Sequence, residues 1–350
     1  MIANTSDFTN QTPSLTSQEN GSDSSQPEFL CDVLSGTSYF TGGLIISASG
    51  LFLNAAFIFV FCRVKYMRTL TNGYLVNLAV SDSLLLSSVL MYFIFRLAEL
   101  GPLRSATFNC FLTYLHAILL LVSIWMITIV SIERYLCICN PLKARLFNTR
   151  GRVAALIACT WILSMICSSP KLVHCAIADS DSEQAQQFEI TLYIFYVLMF
   201  FLSIVTVACM YSFVVVNFKK SVRKLGKERR NTRKSDDTQV LVTCMIISIV
   251  FFVCTFPSAY KYVLYLLYRA TNVNYGGHFT ICMYGLARWL LLINSSVNPL
   301  IYTITSARCR KAFAIAFWCH STKDRRTTTC TLPPSSAYVN SMTTNLGADV

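Results

Sequence analysis

Long stretches without any Asp, Glu, Lys or Arg recur along this chain, and they decide what it can fold into. They run Val33–Cys62, Thr69–Ser81 continuing past Asp82 to Phe95, Thr107–Ile132, Val153–Pro170, Ile190–Phe218, Thr238–Tyr260, and Ala270–Ala287 continuing past Arg288 to Ala307. A bilayer core needs about 20 such residues per helix, and only helices or closed barrels satisfy their own backbone in lipid. These runs are too long and too solidly apolar for alternating barrel strands of roughly ten residues. The expected fold is an all-α membrane protein, a seven-transmembrane helix bundle. Composition agrees: 54% of the 350 residues are hydrophobic and only 13% charged, against roughly a quarter charged in a soluble domain.

Basic residues orient the bundle. Arg63, Lys65 and Arg68 follow the first span, and Lys143, Arg145, Arg150 and Arg152 lie between the third and fourth. Nine more, from Lys219 to Lys234, separate the fifth from the sixth, and Arg308, Arg310 and Lys311 follow the seventh. Residues 1–62 contain no Lys or Arg. The positive-inside rule then puts the N-terminus outside and the C-terminus in the cytoplasm. The net charge of +12 is a topology signal, and nucleic acid is not an expected partner. Four parts are expected: an extracellular N-terminus 1–35, the bundle 36–305, an amphipathic helix 306–319 on the membrane surface, and a cytoplasmic tail 320–350. The first thirty residues lack the apolar segment of a cleavable signal peptide. They carry three sequons, at Asn4, Asn10 and Asn20, which are expected glycosylation sites. Of fifteen cysteines, only Cys31, Cys110, Cys175 and Cys282 fall on the oxidising side.

Polar residues inside the spans stand out, because a charge at mid-membrane costs about 2.5–3.5 kcal/mol even on lenient scales. Asp82 lies mid-way along the second span, and Asn294, Asn298 and Tyr302 form one stripe on the seventh, interrupted by Pro299. On the third, His116, Ser123 and Arg134 share a face, with His116 about 27 Å from Arg134 along the axis. One helix thus presents polar groups near the outside, the middle and the inner rim.

Together these residues resemble a rhodopsin-like (class A) G-protein-coupled receptor over roughly residues 36–320. Asn54, "NLAVSD" ending in Asp82, Glu133-Arg134-Tyr135, Pro141-Leu142, Trp161, Tyr211, Phe251, Cys254, Pro257 and "NSSVNPLIY" ending in Tyr302 each match the motif of their span or loop. The resemblance implies a disulfide between Cys110 and Cys175. It implies an Arg134 held by Glu133 while the receptor is silent, with Asp237 as a second tether. On activation the sixth helix, carrying Pro257, swings outward, and Tyr211 and Tyr302 turn inward to support Arg134. It implies a sodium pocket of Asp82, Ser123, Asn294 and Asn298, an allosteric ion in a protein with no other expected cofactor. Leu142 resembles the residue that docks on a heterotrimeric G protein. Cys319, just after the Ala307–Trp318 helix, is a plausible palmitoylation site, and the Ser/Thr-rich tail suits receptor kinases and arrestin. Four departures stand out: Thr255 replaces the usual sixth-span Trp, Ser203 the fifth-span Pro, and Cys309 a Phe of the surface helix. Cys110 lies one residue nearer Arg134 than usual.

His116 stands where amine receptors carry an Asp, and Leu292 where opsins carry the retinal Lys, so monoamines and light are not expected stimuli. Arg96, Lys261 and Arg288, with Thr113, His116, Tyr260, Tyr262 and Tyr284, are the candidate ligand contacts. The cations suit a carboxylate or the carbonyl of an amidated C-terminus. Acids of the Ala176–Glu189 loop and the N-terminus suit a basic peptide body. An extracellular neuropeptide, of the FMRFamide type on motif resemblance, is the expected ligand; a small organic or lipid acid is the alternative. A transporter should show internal repeats and an intramembrane enzyme a catalytic pair; neither is present, and no enzymatic activity is expected.

Overall fold

The computed structural model describes residues 37–98, 105–140, 142, 144, 149–177, 183–224, 232–271, 273 and 278–318. Regular structure among them is helical throughout. In chain order the helices are α1 (Thr37–Arg63), α2 (Leu70–Leu97), α3 (Ala106–Cys139), α4 (Arg150–Ser168), α5 (Pro170–Ile177), α6 (Glu183–Lys224), α7 (Thr232–Thr271), α8 (His278–Thr305) and α9 (Ala307–Trp318). Hydroxyl caps start several of them by taking up an otherwise orphaned N–H. Thr69 accepts from Asn72 at 3.2 Å, Ser105 from Phe108 at 3.4 Å and Thr149 from Arg152 at 3.3 Å.

Six helical stretches are long and apolar enough to cross a membrane: Tyr39–Arg63, Leu70–Leu97, Ala106–Cys139, Arg150–Val173, Gln186–Asn217 and Gln239–Thr271. The seventh expected span, α8, is equally long at 28 residues. Arg288, Asn294, Ser295, Ser296 and Asn298 dilute its apolar character. It closes the bundle by packing against α7, α1 and α2, while α3 sits at the centre against α2, α4, α5, α6 and α7.

Two expectations need correction. Residues after Pro170 are not loop: they form α5, with Pro170 in its first position, where a missing N–H costs nothing. Glu189, expected on a loop, is already helical in α6. The fifth span also runs unbroken through Ser203, whose Oγ lies 2.5 Å from Thr128 Oγ1 on α3. Without a proline, nothing in that stretch removes a backbone donor.

Lipid is as apolar as leucine, so such a bundle is held by close van der Waals contact, small residues and hydrogen bonds. Ile45, Phe52, Leu198, Leu202 and Val205 stand exposed on the outside, the surface that hydrocarbon covers. Small residues let α1 approach α8 and α2. A Cβ on Gly50 would strike the Ser296 side chain, and one on Gly43 would meet the Phe93 ring at 2.7 Å. Pro299 has no N–H to offer Ser295 one turn back, and that freed carbonyl accepts from Asn54 Nδ2 of α1 at 2.8 Å. Trp161 of α4 donates to Asn77 Oδ1 of α2 at 2.9 Å. α9 folds back on α1 and α8, burying Cys309, Ala312 and Ala316. Arg310 Nη1 caps the last turn of α8, donating to the Thr303 and Ile304 carbonyls at 3.1 and 2.9 Å. Burial pushes the Cys309 thiol up to about 12, so it stays protonated and unreactive at neutral pH.

Candidate functional site

The polar groups lie at three levels along the bundle. At one end, Glu133 and Arg134 on the last turns of α3 are 6% and 8% exposed. Arg134 Nη2 pairs with Glu133 Oε1 at 3.1 Å and also donates to Thr71 Oγ1. Thr71 in turn donates to Glu133 Oε1 at 3.3 Å. Thr71, in the first turn of α2, therefore completes a three-membered lock. Glu133 Oε2 and Arg134 Nε remain without partners among the described residues. Tyr135 faces Phe213 at 6.1 Å, and Leu142 is 78% exposed. The Asp237 side chain lies outside the described residues, as do Pro141, Cys319, the sequons at Asn4, Asn10 and Asn20, and the tail.

Tyr211 and Tyr302 sit one layer further in. Tyr211 Oη is 3.4 Å from Ser248 Oγ. The Tyr302 ring lies 4.6 Å from Phe57, and its buried hydroxyl has no partner among the described residues. Between them Tyr74, Leu75, Leu78, Met126, Ile127, Val130, Cys244, Ile247 and Ser248 enclose a cavity of about 10 Å³. Such a space holds one water at most. Pro257 is buried on α7, and Thr255, where an aromatic ring was the usual residue, turns its hydroxyl back to the Phe251 carbonyl at 2.6 Å.

At mid-bundle Asp82 is 2% exposed. Asn298 Nδ2 donates to its Oδ2 at 2.8 Å, and Ser295 stands beside the same carboxylate. Ser123 meets Ser81, the neighbour of Asp82, at 3.4 Å. Asn294 is buried on the same stretch of α8. No Lys or Arg among the described residues pairs with Asp82.

At the far end Cys110 is disulfide-bonded to Cys175 with Cα atoms 5.9 Å apart, joining the start of α3 to α5. Cys282, near the start of α8, is also disulfide-bonded; Cys31 lies outside the described residues. The candidate contacts separate into groups. His116 is buried and turned to α2, its Nε2 2.9 Å from Ser88 Oγ, so it joins two helices. Thr113 donates to the Asn109 carbonyl at 2.9 Å. Arg96 and Arg288 flank an aromatic cluster of α1, α2 and α8, with Arg96 5.8 Å from the Phe40 ring and Arg288 4.7 Å from Tyr39. Lys261 lies 5.2 Å from the Tyr262 ring and 5.4 Å from Tyr284. Tyr260 stacks along α7 on Phe256 at 6.5 Å.

A cation that sequence reasoning passed over belongs with the last group. Lys171 Nζ lies 4.8 Å from the Tyr193 ring and 5.7 Å from Tyr196. Tyr196 stacks on Tyr262 at 6.0 Å, so tyrosines of α6 and α7 stand between two lysines. Tyr265 donates to Glu189 Oε2 at 2.5 Å.

A buried arginine lock, a lone mid-bundle carboxylate and a cation-lined mouth therefore sit on one seven-helix frame. Residues 53–302 match the family model described as 7 transmembrane receptor (rhodopsin family). The chain belongs to that family. Over 281 residues this receptor is 27% identical to somatostatin receptor type 1 of Rattus norvegicus, covering 77% of this chain and 68% of that protein. It is 25% identical over 281 residues to the substance-K receptor of Mus musculus, covering 76% and 71%. A neuromedin U receptor homolog of Caenorhabditis elegans is 27% identical over 305 residues, 75% of each chain. The transporter alternative finds no support in these relatives, and family members are receptors rather than enzymes.

Proposed function

We propose that this receptor carries an extracellular peptide signal to a heterotrimeric G protein, with the disulfide end outside and the Arg134 end in the cytoplasm. The observation that carries the coupling half is Arg134, a charged side chain 8% exposed near the end of α3. Burying a guanidinium there is costly unless its partners are good, so the lock stores a group for later use. Peptide choice rests on the relatives, whose names specify somatostatin, substance K and neuromedin U. Exposed Leu142 is the proposed G-protein contact. Receptor kinases and arrestin acting on the tail, lipid attachment at Cys319 and glycosylation at Asn4, Asn10 and Asn20 complete the reading. The test is receptor reconstituted in nanodiscs with a heterotrimer and offered pooled neuropeptides, free-acid and amidated, beside organic and lipid acids. Nucleotide exchange driven by a peptide pool is expected; exchange driven by the acids alone would move the ligand to the alternative class.

Asp82 carries a second proposal. Its carboxylate is buried and lacks a cation among the described residues, while Asn298 and Ser295 beside it, Ser81 and Ser123 nearby and Asn294 buried on the same stretch of α8 offer oxygen atoms. A hard monovalent cation suits that donor set. Sodium held there would supply the missing positive charge and favour the closed bundle. Raising sodium at constant ionic strength is expected to weaken agonist binding to the wild type and to leave Asp82→Asn unchanged. Equal sodium sensitivity in the two proteins would remove the ion from this site.

A further inference from the structure

Lys171 is the second residue of α5 and, at a membrane rim, would ordinarily snorkel its ammonium to water. It does not: the residue is 9% exposed. Its ammonium is turned onto the rings of Tyr193 and Tyr196. Lys261 is enclosed by the bundle yet keeps part of its own surface open, the condition of a side chain lining an interior space. The two ammonium groups are near enough to repel each other, and Arg288 adds to that repulsion. Aromatic faces attract cations but neutralise none of their charge.

Acids do not balance this group. Glu189 acts on Lys171 through space, but no carboxylate among the described residues pairs with either lysine. Glu189 is instead occupied by Tyr265, 2.5 Å away. The Tyr196 hydroxyl, on the ring that Lys171 faces, is buried and meets no close hydrogen-bond partner among the described residues, although Ser168 stands beside it. Two lysines thus flank one tyrosine stack, and the carboxylate nearest Lys171 is engaged by Tyr265. A buried excess of donors and positive charge is expensive unless something negative completes it.

We propose that Lys171 and Lys261, with the Tyr196–Tyr262 stack between them, form the subsite for a carboxylate of the ligand. The ligand is accordingly a free acid at this end, and an amide there is rejected. This rests on the reading that the disulfide end of the bundle takes the ligand. It goes beyond that reading by fixing the charge of the bound group. The ammonium groups supply charge-assisted hydrogen bonds, which a neutral amide forfeits in large part.

The experiment uses the full chain in nanodiscs and reads thermal unfolding, without a G protein. Matched probes are 4-hydroxyphenylacetate against 4-hydroxyphenylacetamide, and pooled synthetic peptides as free acids against the same pools amidated. The expected result is stabilisation by acids at concentrations about tenfold or more below those their amides require. Lys171→Gln and Lys261→Gln are expected to abolish the preference, and Lys171→Arg to keep most of it. Melting of each variant without probe establishes first that it is folded. Stabilisation by free-acid peptides identifies a peptide C-terminus as the source; stabilisation by the aromatic acid alone keeps the subsite and overturns the peptide reading. Acids and amides acting alike, glutamine variants with an undiminished preference, or no stabilisation by any acid would each overturn the subsite. Because peptide-driven nucleotide exchange is measured separately, that outcome leaves the receptor reading standing.

Discussion

Thr71→Val is expected to raise ligand-free nucleotide exchange to about ten times the wild-type level. The substitution keeps the shape of the side chain and removes only the hydroxyl that accepts from Arg134 and donates to Glu133. A hydrogen bond to a charged group contributes about 1.5–3 kcal/mol, so the closed state should lose roughly ten- to a hundred-fold in population relative to the released one. The open state loses nothing comparable, because there the guanidinium meets its partner or water. Thr71→Ser, which retains the hydroxyl, should behave as wild type. Exchange is read with the purified heterotrimer and no added ligand. Valine at wild-type basal activity would mean that Thr71 merely fills space, leaving Glu133 alone to restrain Arg134.

The second large effect concerns Cys110→Ser. The Cys110–Cys175 bond closes a loop whose ends are 65 residues apart in sequence. Chain-entropy arguments value such a closure at about 4 kcal/mol. The loop includes most of α3 and all of α4, so the loss falls on the centre of the bundle as well as its mouth. Receptor with Cys110→Ser is expected to reach the cell surface poorly and to unfold at markedly lower temperature. Cys175→Ser should match it, and the double variant should be no worse than either, since the two residues contribute one bond. Additive losses would show that each sulfur has a separate role.

The seven spans were legible because membranes punish charge so uniformly that its absence marks them. Asp82 and Arg134 were legible for the converse reason, since polar residues in apolar runs need a function or a partner; Asn54 came with the family resemblance. Glu133 against Arg134 and Asn298 beside Asp82 came with the family resemblance; contacts outside the motifs were not legible, because periodicity describes one helix at a time. Thr71 and Glu133 are 62 positions apart, and nothing in either stretch announces the other. The Ser88 hydroxyl against the His116 ring is equally invisible in either helix taken alone. Lys171 left a faint trace, as the cation ending an apolar run. Beyond Pro170 the chain was read as loop, and a loop lysine carries no expectation of burial. Glu189 was misplaced for the same reason, since an acid ahead of a long apolar run reads as surface loop although it already lies within α6.

One consequence of the small cavity lined by Leu75, Leu78, Met126, Ile127 and Val130 concerns the membrane itself. A gap with room for one water cannot support a file of hydrogen-bonded waters, and a proton crossing here would have to leave solvent altogether. If the Arg134 end is closed as proposed, the layer around that cavity is expected to insulate the membrane as well as restrain the switch. Patch-clamped cells bearing the receptor in quantity should therefore show no added conductance at rest.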